Sequence, residues 1–383
     1  MEKRARAFQA RLGISSLSLF FLLTLAFALE ARAQGDWKQD WERTLQAAKK
    51  EGQVSIYMCS TCSATNRYDK ILDEFRKEYP EIKVVTVAGS GAQLAARETA
   101  ERRAEKYLAD LHGGGANGAF NVLHKGKMLD PIKSLLALPE TVDESKWYGG
   151  KHQYIDPEGK HIFAYLASVS TAQLFYNTQL VKAGEFKSYW DLINPKWKGK
   201  VVALDPSNTG LGATMQFFYY HSELGPDFIR KLFGGLDVTY SRDYRQMVDW
   251  LAQGKFALCI GCKETDKAKA QGLPVDDFDT SLWKEGASFS AGGGTLSFFN
   301  KAPHPNAAKV FVNWFLSRKG QIALQTYGNP DDPPNSRRID IPKDGVPARN
   351  QLIAGRKYLD VTNPEWSDMT PIFQLTKEVM KGK

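Results

Sequence analysis

The chain has 383 residues, 43% hydrophobic and 25% charged, with 51 basic against 43 acidic side chains and a formal net charge of +8. That mild excess is spread along the chain with no arginine-rich patch interleaved with aromatics, which excludes a nucleic-acid partner. A basic surface favours an anionic ligand but defines no site, and the length exceeds what one hydrophobic core usually serves, so two lobes are expected.

The N-terminus speaks first. "MEKRARAFQAR" is a basic region, Ile14 to Leu29 is apolar and uncharged, and Ala31-Arg32-Ala33 has the small-x-small form of a cleavage site. The pattern predicts a secretory signal peptide over 1–34, cleaved near Ala33. The apolar stretch is short of the about 20 residues a spanning helix needs. A soluble periplasmic chain starting at Gln34 or Gly35 is expected, with the net charge reduced to +5 by the loss of five basic and two acidic residues.

Helix and strand patterns then alternate. "DWKQDWERTLQAAKKEG" reads as a surface helix with Trp37, Trp41, Leu45 and Ala48 on one face, ended by Gly52. "QVSIYM" is a strand. "YDKILDEFRKEYP" is an amphipathic helix with Ile71, Leu72, Phe75 and Tyr79 inward, stopped by Pro80. "IKVVTVAG" is a strand with Val84 and Val85 in a buried sheet, and "GAQLAARETAERRAEKYLAD" is a long helix. This is the grammar of a parallel α/β sheet. Later, "FAYLASVSTAQLFYNTQL" is one long run of strand formers. "WKGKVVALDPSNTGLGATMQFFYYHSEL" reads as strand, polar loop and helix, and "DYRQMVDWLAQGKFALCIG" as helix then strand. "GGGTLSFFNKAPHPNAAKVFVNWFLSRKGQIALQTYG" is a strand, a turn and a single periodic helix. "GNPDDPPNSRR" is a turn-rich, exposed tail.

In open α/β sheets, ligands bind outside the carboxyl ends of the strands. Three loops qualify: Cys59 to Ser63, Gly89-Ser90-Gly91, and Asp205 to Gly212, the last two opening helices whose N-termini hold anions and polar oxygens. Taken by their residues alone, "GSG" and "SNTG" are ordinary cap chemistry, since Ser and Asn cap helices everywhere.

The whole resembles the periplasmic solute-binding proteins of bacterial ABC importers, of the iron(III) type. "DWERTLQAAKKEGQVSIY", "GSGAQLAARETAERRA", "LFYNTQLV", "SYWDLINPKWKGKVVALDPSNTG" and "APHPNAAKVFVNWFLS" carry the likeness and together span nearly the whole mature chain. The resemblance implies an α/β, two-lobed class II Venus-flytrap fold with a hinge and an interlobe ligand cleft. Lobe 1 would take 36–168, lobe 2 169–285, and 286–383 would return to lobe 1 with C-terminal helices packing on either lobe. It also implies that Ser60, Thr61, Ser90, Gly91, Ser207, Asn208, Thr209 and Gly210 face the ligand. Ser168 and Ser170 are expected near the first hinge crossing, and Arg242 is placed to meet a carboxylate or phosphate.

One departure matters. Ferric-binding members of the family carry adjacent tyrosines at a second-lobe strand end, where this chain has Cys259, Ile260, Gly261 and Cys262. Tyr219-Tyr220 falls inside a helix pattern, where packing is its expected role. Cys59 and Cys62 form the matching C-x-x-C on the other lobe. Three accounts stay open: two local disulfides, as an oxidising compartment favours; four thiolates, Cys59, Cys62, Cys259 and Cys262, converging on a thiolate-bound metal ion or thiophilic solute; or small buried hydrophobes.

The expected function is a solute receptor, not an enzyme, working as a monomer with an inner-membrane permease of an ABC importer. No Ser–His–Asp order, Walker loop or G-x-G-x-x-G fingerprint is present. The alternatives are a periplasmic thiol-redox protein using its C-x-x-C pairs and a ligand-sensing partner of a membrane kinase. The six histidines show no H-x-x-x-H spacing, and His112 and His124 are expected at the surface.

Overall fold

The computed structural model describes residues 37–59, 68–170, 173–206, 211–262, 265–329, 333–362, 364–366 and 368–381. The expected signal peptide at 1–34 lies outside them. Among the described residues no helix is long and apolar enough to cross a membrane.

In chain order the strands are β1 (Gln53–Cys59), β2 (Lys83–Gly89), β3 (Leu111–Gly114), β4 (Leu129–Asp130), β5 (Ile162–Ala164), β6 (Ser168–Ser170), β7 (Leu174–Asn177), β8 (Val201–Leu204), β9 (Thr239–Ser241), β10 (Leu258–Ile260), β11 (Val275–Asp277), β12 (Ala287–Ser290), β13 (Thr295–Phe299) and β14 (Tyr358–Asp360). They form three sheets. The first has the order β2-β1-β3-β13-β4, with β5 on β13; the second is β11-β7-β10-β8-β9; the third is β14-β12-β6. β1 runs parallel to β2 and β3, while β13 is antiparallel to its neighbours.

The third sheet ties together the two crossovers between the first and second sheets. β6 lies in the chain between the first sheet and the second, and β12 lies on the way back. The two crossovers pair antiparallel, Ser168 with Ser290 and Val169 with Phe289. Paired crossovers of this kind are where two lobes rotate about a few residues.

Each lobe buries its own core. In lobe 1 the helix Tyr68–Glu78 turns Tyr68, Ile71, Leu72 and Phe75 inward at helical spacing. Phe75 meets Phe311 and Trp314 of the helix Pro305–Leu316 edge-on, with centroids 5.2 and 5.3 Å away. That helix begins on the Glu51 carboxylate, which accepts from the Asn306 and Ala307 amides (Ala307 N at 2.7 Å) and so satisfies orphan N–H groups. Lobe 2 is aromatic: Phe186, Tyr189, Trp197, Phe217, Phe218, Phe228, Phe278 and Trp283 share one core. The C-terminal helix Thr370–Met380 packs its Ile372 and Leu375 into that same core.

Several sequence expectations are corrected. The strand-forming run 163–180 is divided among three sheets, ending as β5, β6 and β7. β2 is an edge strand, and Val85 is only half-buried. The helix opened by Gly91 stops at Arg103, well before Asp110. The single helix expected after Pro305 breaks at Ser317, whose side chain accepts from the Gly320 amide and caps a second helix, Arg318–Tyr327.

The expected exposed tail is the largest reversal. Asn335 to Arg338 are buried, both arginines to 1% exposure. Burying a guanidinium is costly unless it is paired and hydrogen-bonded. Arg337 donates to Leu166 O and to Asp360 Oδ2, both at 2.7 Å, and its guanidinium lies over Phe289. Arg338 donates to Asp340 Oδ1 and Leu316 O at 2.7 and 2.8 Å. Arg337 thus joins the turn after β5 to β12 and β14 of the third sheet.

Candidate ligand cleft

A cavity of about 430 Å³ opens where the loop after β3, the start of the helix Gly212–Tyr220, the end of β12 and the C-terminal segment meet. Asn117 comes from lobe 1, Gln216 from lobe 2, Ser290 from the returning crossover, and Thr362 and Phe373 from the C-terminal segment. The walls are therefore amides and hydroxyls set among apolar groups, the usual character of a small-molecule site.

These polar groups are held from behind. Thr362 Oγ1 donates to Asp360 Oδ1 at 2.5 Å and accepts from the Ala291 amide at 2.9 Å. Asp360 is in turn fixed by Arg337, so the buried arginine positions a cleft residue through two hydrogen bonds. Gln216 Nε2 donates to Trp366 O at 2.5 Å, tying the cleft helix to the C-terminal segment. On the lobe 1 side, Thr295 Oγ1 donates to Gly114 O at 2.8 Å. A Cβ on Gly114 would lie 2.6 Å from His112 Nε2, so the last position of β3 has room only for glycine.

His112 is buried under that loop with its Nδ1 2.7 Å from Glu98 Oε1. It is not at the surface. His124 is half-buried and stacks on Phe120.

The other sequence-derived candidates fall into distinct groups. Ser90 accepts from Gln93 N and receives the Gln93 side chain on its own amide, a complete capping box at the start of the helix Gly91–Arg103. Ser168 is exposed and pairs across the third sheet with the cleft residue Ser290, and Ser170 O accepts from Ser288 Oγ. Arg242 is exposed and pairs with Asp205, its Nε and a terminal nitrogen 2.9 and 2.8 Å from Oδ2. The two line a neighbouring opening of about 510 Å³ that shares Phe373 with the cleft. Ser60, Thr61, Cys62, Ser207, Asn208, Thr209 and Gly210 lie outside the described residues.

The cysteines require a correction. Cys259 and Cys262 form a disulfide with Cα atoms 6.0 Å apart, and Cys59 is disulfide-bonded too, its partner lying outside the described residues. Gly261 between the paired residues has φ +85°, a left-handed turn that brings Cys262 back onto Cys259. All three described cysteines are 1% exposed, Cys59 in a lobe 1 core and the pair in the lobe 2 core. Disulfide sulfurs carry no thiolate charge, so in this form they do not offer the four-sulfur metal set. For the lobe 2 pair the structure has the local disulfide of the first account; Cys62 lies outside the described residues.

Tyrosinates are absent from the described cleft lining as well. Tyr220 OH donates to Asp368 O and its ring stacks on Trp366. Tyr57 donates to Glu101, and burial, aided by that carboxylate, pushes its phenol up to about 12.

Asn117, Gln216, Ser290, Thr362 and Phe373 escaped the sequence reading. Asn117 had a signal: "GANG", 115–118, follows the parallel strand β3, as the other candidate loops follow theirs. Thr362 and Phe373 had none, because tertiary packing alone brings the C-terminal segment to the cleft.

The comparisons agree with this architecture. An uncharacterised protein of Haemophilus influenzae (strain Rd) is 25% identical over 301 residues, 74% of this chain and 78% of that one. The Trichodesmium protein FutA (IdiA), solved in complex with iron and citrate ligands, superposes with a TM-score of 0.59 at 20% identity, over 86% of this chain and 99% of that one. The periplasmic binding protein AfuA of Actinobacillus pleuropneumoniae, solved with fructose-6-phosphate, gives 0.50 at 19% identity, over 86% and 98%. At such identities the likeness is one of fold, and that fold is the two-lobed periplasmic-binding-protein fold. The model of the bacterial extracellular solute-binding proteins matches residues 63–322, and the chain belongs to that family.

Proposed function

We propose that the protein is the solute receptor of an ABC importer. It captures a small organic anion between its lobes, closes about the β6–β12 crossovers and delivers the solute to a membrane permease. Residues 1–34 would be removed on export to the periplasm, and the receptor would work as a monomer without catalysis.

The observation that carries the ligand class is the cleft lining. Asn117, Gln216, Ser290 and Thr362 are neutral, the walls include Met215 and Phe373, and no tyrosine or carboxylate lines the cavity among the described residues. A bare ferric ion prefers hard, anionic oxygen ligands. An organic anion is served by hydrogen-bond donors, by the N-terminus of the helix Gly212–Tyr220 at the cavity wall and by Arg242 in the adjoining opening. The relatives span both chemistries, iron with citrate in one and a sugar phosphate in the other, so the fold alone does not select between them.

The test is native mass spectrometry and thermal unfolding against carboxylates and sugar phosphates, each with and without Fe(III). Stabilisation by an anion without iron, lost in Gln216→Ala, supports the reading. Binding of Fe(III) alone, with a visible phenolate charge-transfer band, overturns it. The thiol-redox alternative requires access to cysteines of which the three described are 1% exposed, and turnover of a model disulfide by the native protein would support it. Co-purification with a kinase in place of a permease would favour the sensor role.

A further inference from the structure

A second polar cluster lies in lobe 1, outside the cleft. His124 ends the helical run Ala119–His124. Asp156, Glu158 and His161 belong to the loop that enters β5. One donor atom from each of these four residues lies within 4.8 Å of all the others. Two imidazoles and two carboxylates from separate stretches of chain thus converge on one point.

The internal bonding is that of a prepared ligand set. Asp156 is buried, and its Oδ1 accepts from the amides of His161 and Ile162 at 2.9 and 2.8 Å while Oδ2 accepts from Lys160 N at 3.0 Å. Its Oδ2 also lies 3.1 Å from His161 Nδ1. A proton on Nδ1 shared with a fixed carboxylate leaves the other ring nitrogen as an acceptor, the arrangement that orients metal-binding histidines. His124 lies parallel to Phe120, and its Nε2 is 3.1 Å from Glu158 Oε2. The two imidazole centroids are 5.0 Å apart. Both histidine side chains are partly accessible and Glu158 is half exposed, so an ion has an entry path.

We propose that His124, His161 and Glu158 bind a divalent transition metal of the zinc class, with Asp156 as the positioning residue behind His161. The donors are imidazole nitrogen and carboxylate oxygen without sulfur, a set that suits zinc and disfavours copper(I). The ion would join the end of the segment 115–124, whose first residues line the cleft, to the loop before β5. It is separate from the transported solute.

The experiment is calorimetric titration of the full, EDTA-stripped protein with zinc chloride, with thermal unfolding alongside. One zinc per chain and a raised melting temperature are expected. Affinity should fall as the pH is lowered, because protons compete with the ion for its ligands. Asp156→Asn, which removes an outer partner, is expected to weaken binding roughly 10- to 100-fold, and His161→Ala to weaken it more. Glu158→Gln changes an exposed side chain and keeps the test valid should a histidine variant fail to fold. It should weaken zinc binding with an unchanged melting temperature in EDTA. Gln216→Ala in the cleft should leave zinc binding intact. No zinc uptake by the native chain, equal uptake by the His124→Ala/His161→Ala double variant, or loss of uptake in Gln216→Ala overturns the proposal.

Discussion

The two lobes share a sheet-and-helix plan but are stabilised differently. Lobe 1 sets buried carboxylates against imidazoles: Glu98 with His112, Asp110 with His304, and Asp156 with His161. Lobe 2 buries rings, with Tyr189, Phe217, Phe218 and Phe228 in mutual edge-on or tilted contact. Its fully buried carboxylate, Glu285, lies beside the return crossover and accepts from Ser188 Oγ and Tyr189 N. Aromatic packing is indifferent to pH, whereas paired carboxylates and imidazoles are not. Lobe 1 should therefore respond to pH through Asp110 and Asp156, whose carboxyls are shifted up and down respectively, while lobe 2, apart from its buried His221, should respond chiefly to loss of volume.

The largest effect that would sharpen this contrast is in lobe 2. Phe228 is fully buried against Tyr189, Trp190 and Phe218. Phe228→Ala should cost about 3–5 kcal/mol, read by urea unfolding, and the cost should be the same at pH 5 and pH 8. Next comes Asn313 in lobe 1, whose Oδ1 accepts from Ala137 N, Leu138 N and Thr141 Oγ1 while its Nδ2 donates to Leu135 O and Lys309 O. Asn313→Ala strands several of these groups and should cost about 3 kcal/mol. A cost below 1 kcal/mol would mean that water replaces the amide there.

Removing the lobe 2 disulfide by Cys259→Ser with Cys262→Ser should cost about 2 kcal/mol, since the closed loop is only four residues long. Solute binding should persist in that variant, and its abolition would return the cysteines to the ligand site.

The two smallest effects are pH-dependent and belong to lobe 1. Burial works against the Asp156 carboxylate, but backbone amides and His161 outweigh it and hold its pKa below the ordinary value. A carboxyl depressed on folding adds stability that is present above its unfolded pKa and is lost as pH falls through the folded one. Unfolding profiles below pH 4 should be steeper for the native chain than for Asp156→Asn. Lys343 shows the opposite chemistry: burial lowers its pKa from 10.5 to about 8, with Nζ donating to Gln325 Oε1 and Ser336 O. The unfolded chain then binds the proton more tightly, so this lysine adds stability as pH rises from about 8 to about 10.5. Lys343→Met should flatten the stability profile across that window. An unchanged slope would show that the ammonium stays charged in its hydrogen bonds.

Much of this organisation was readable from local pattern. Ile71, Leu72 and Phe75 announce a helix face, Gly52 ends a helix with φ +70°, and the apolar strand β1 is buried along nearly its whole length. Periodicity and capping act over a few residues, so they survive in one dimension. The loops at strand ends were legible for the same reason, because chain order alone tells which loop follows a parallel strand.

Other features depend on pairs of segments that only the folded chain brings together. The run 163–180 has one composition throughout, yet its three strands join three sheets because each finds a different partner. Arg337 and Arg338 look like a solvated pair until Asp360, Asp340 and two carbonyls supply their hydrogen bonds. Thr362 and Phe373 reach the cleft, and His124 meets His161, only through contacts far apart in sequence. Composition, periodicity and strand-end loops thus determined the class of fold and the neighbourhood of the site. Long-range pairing decided which side chains line the cleft, because the free energy that buries a charge or divides a strand resides in the partner segment and not in the residue itself.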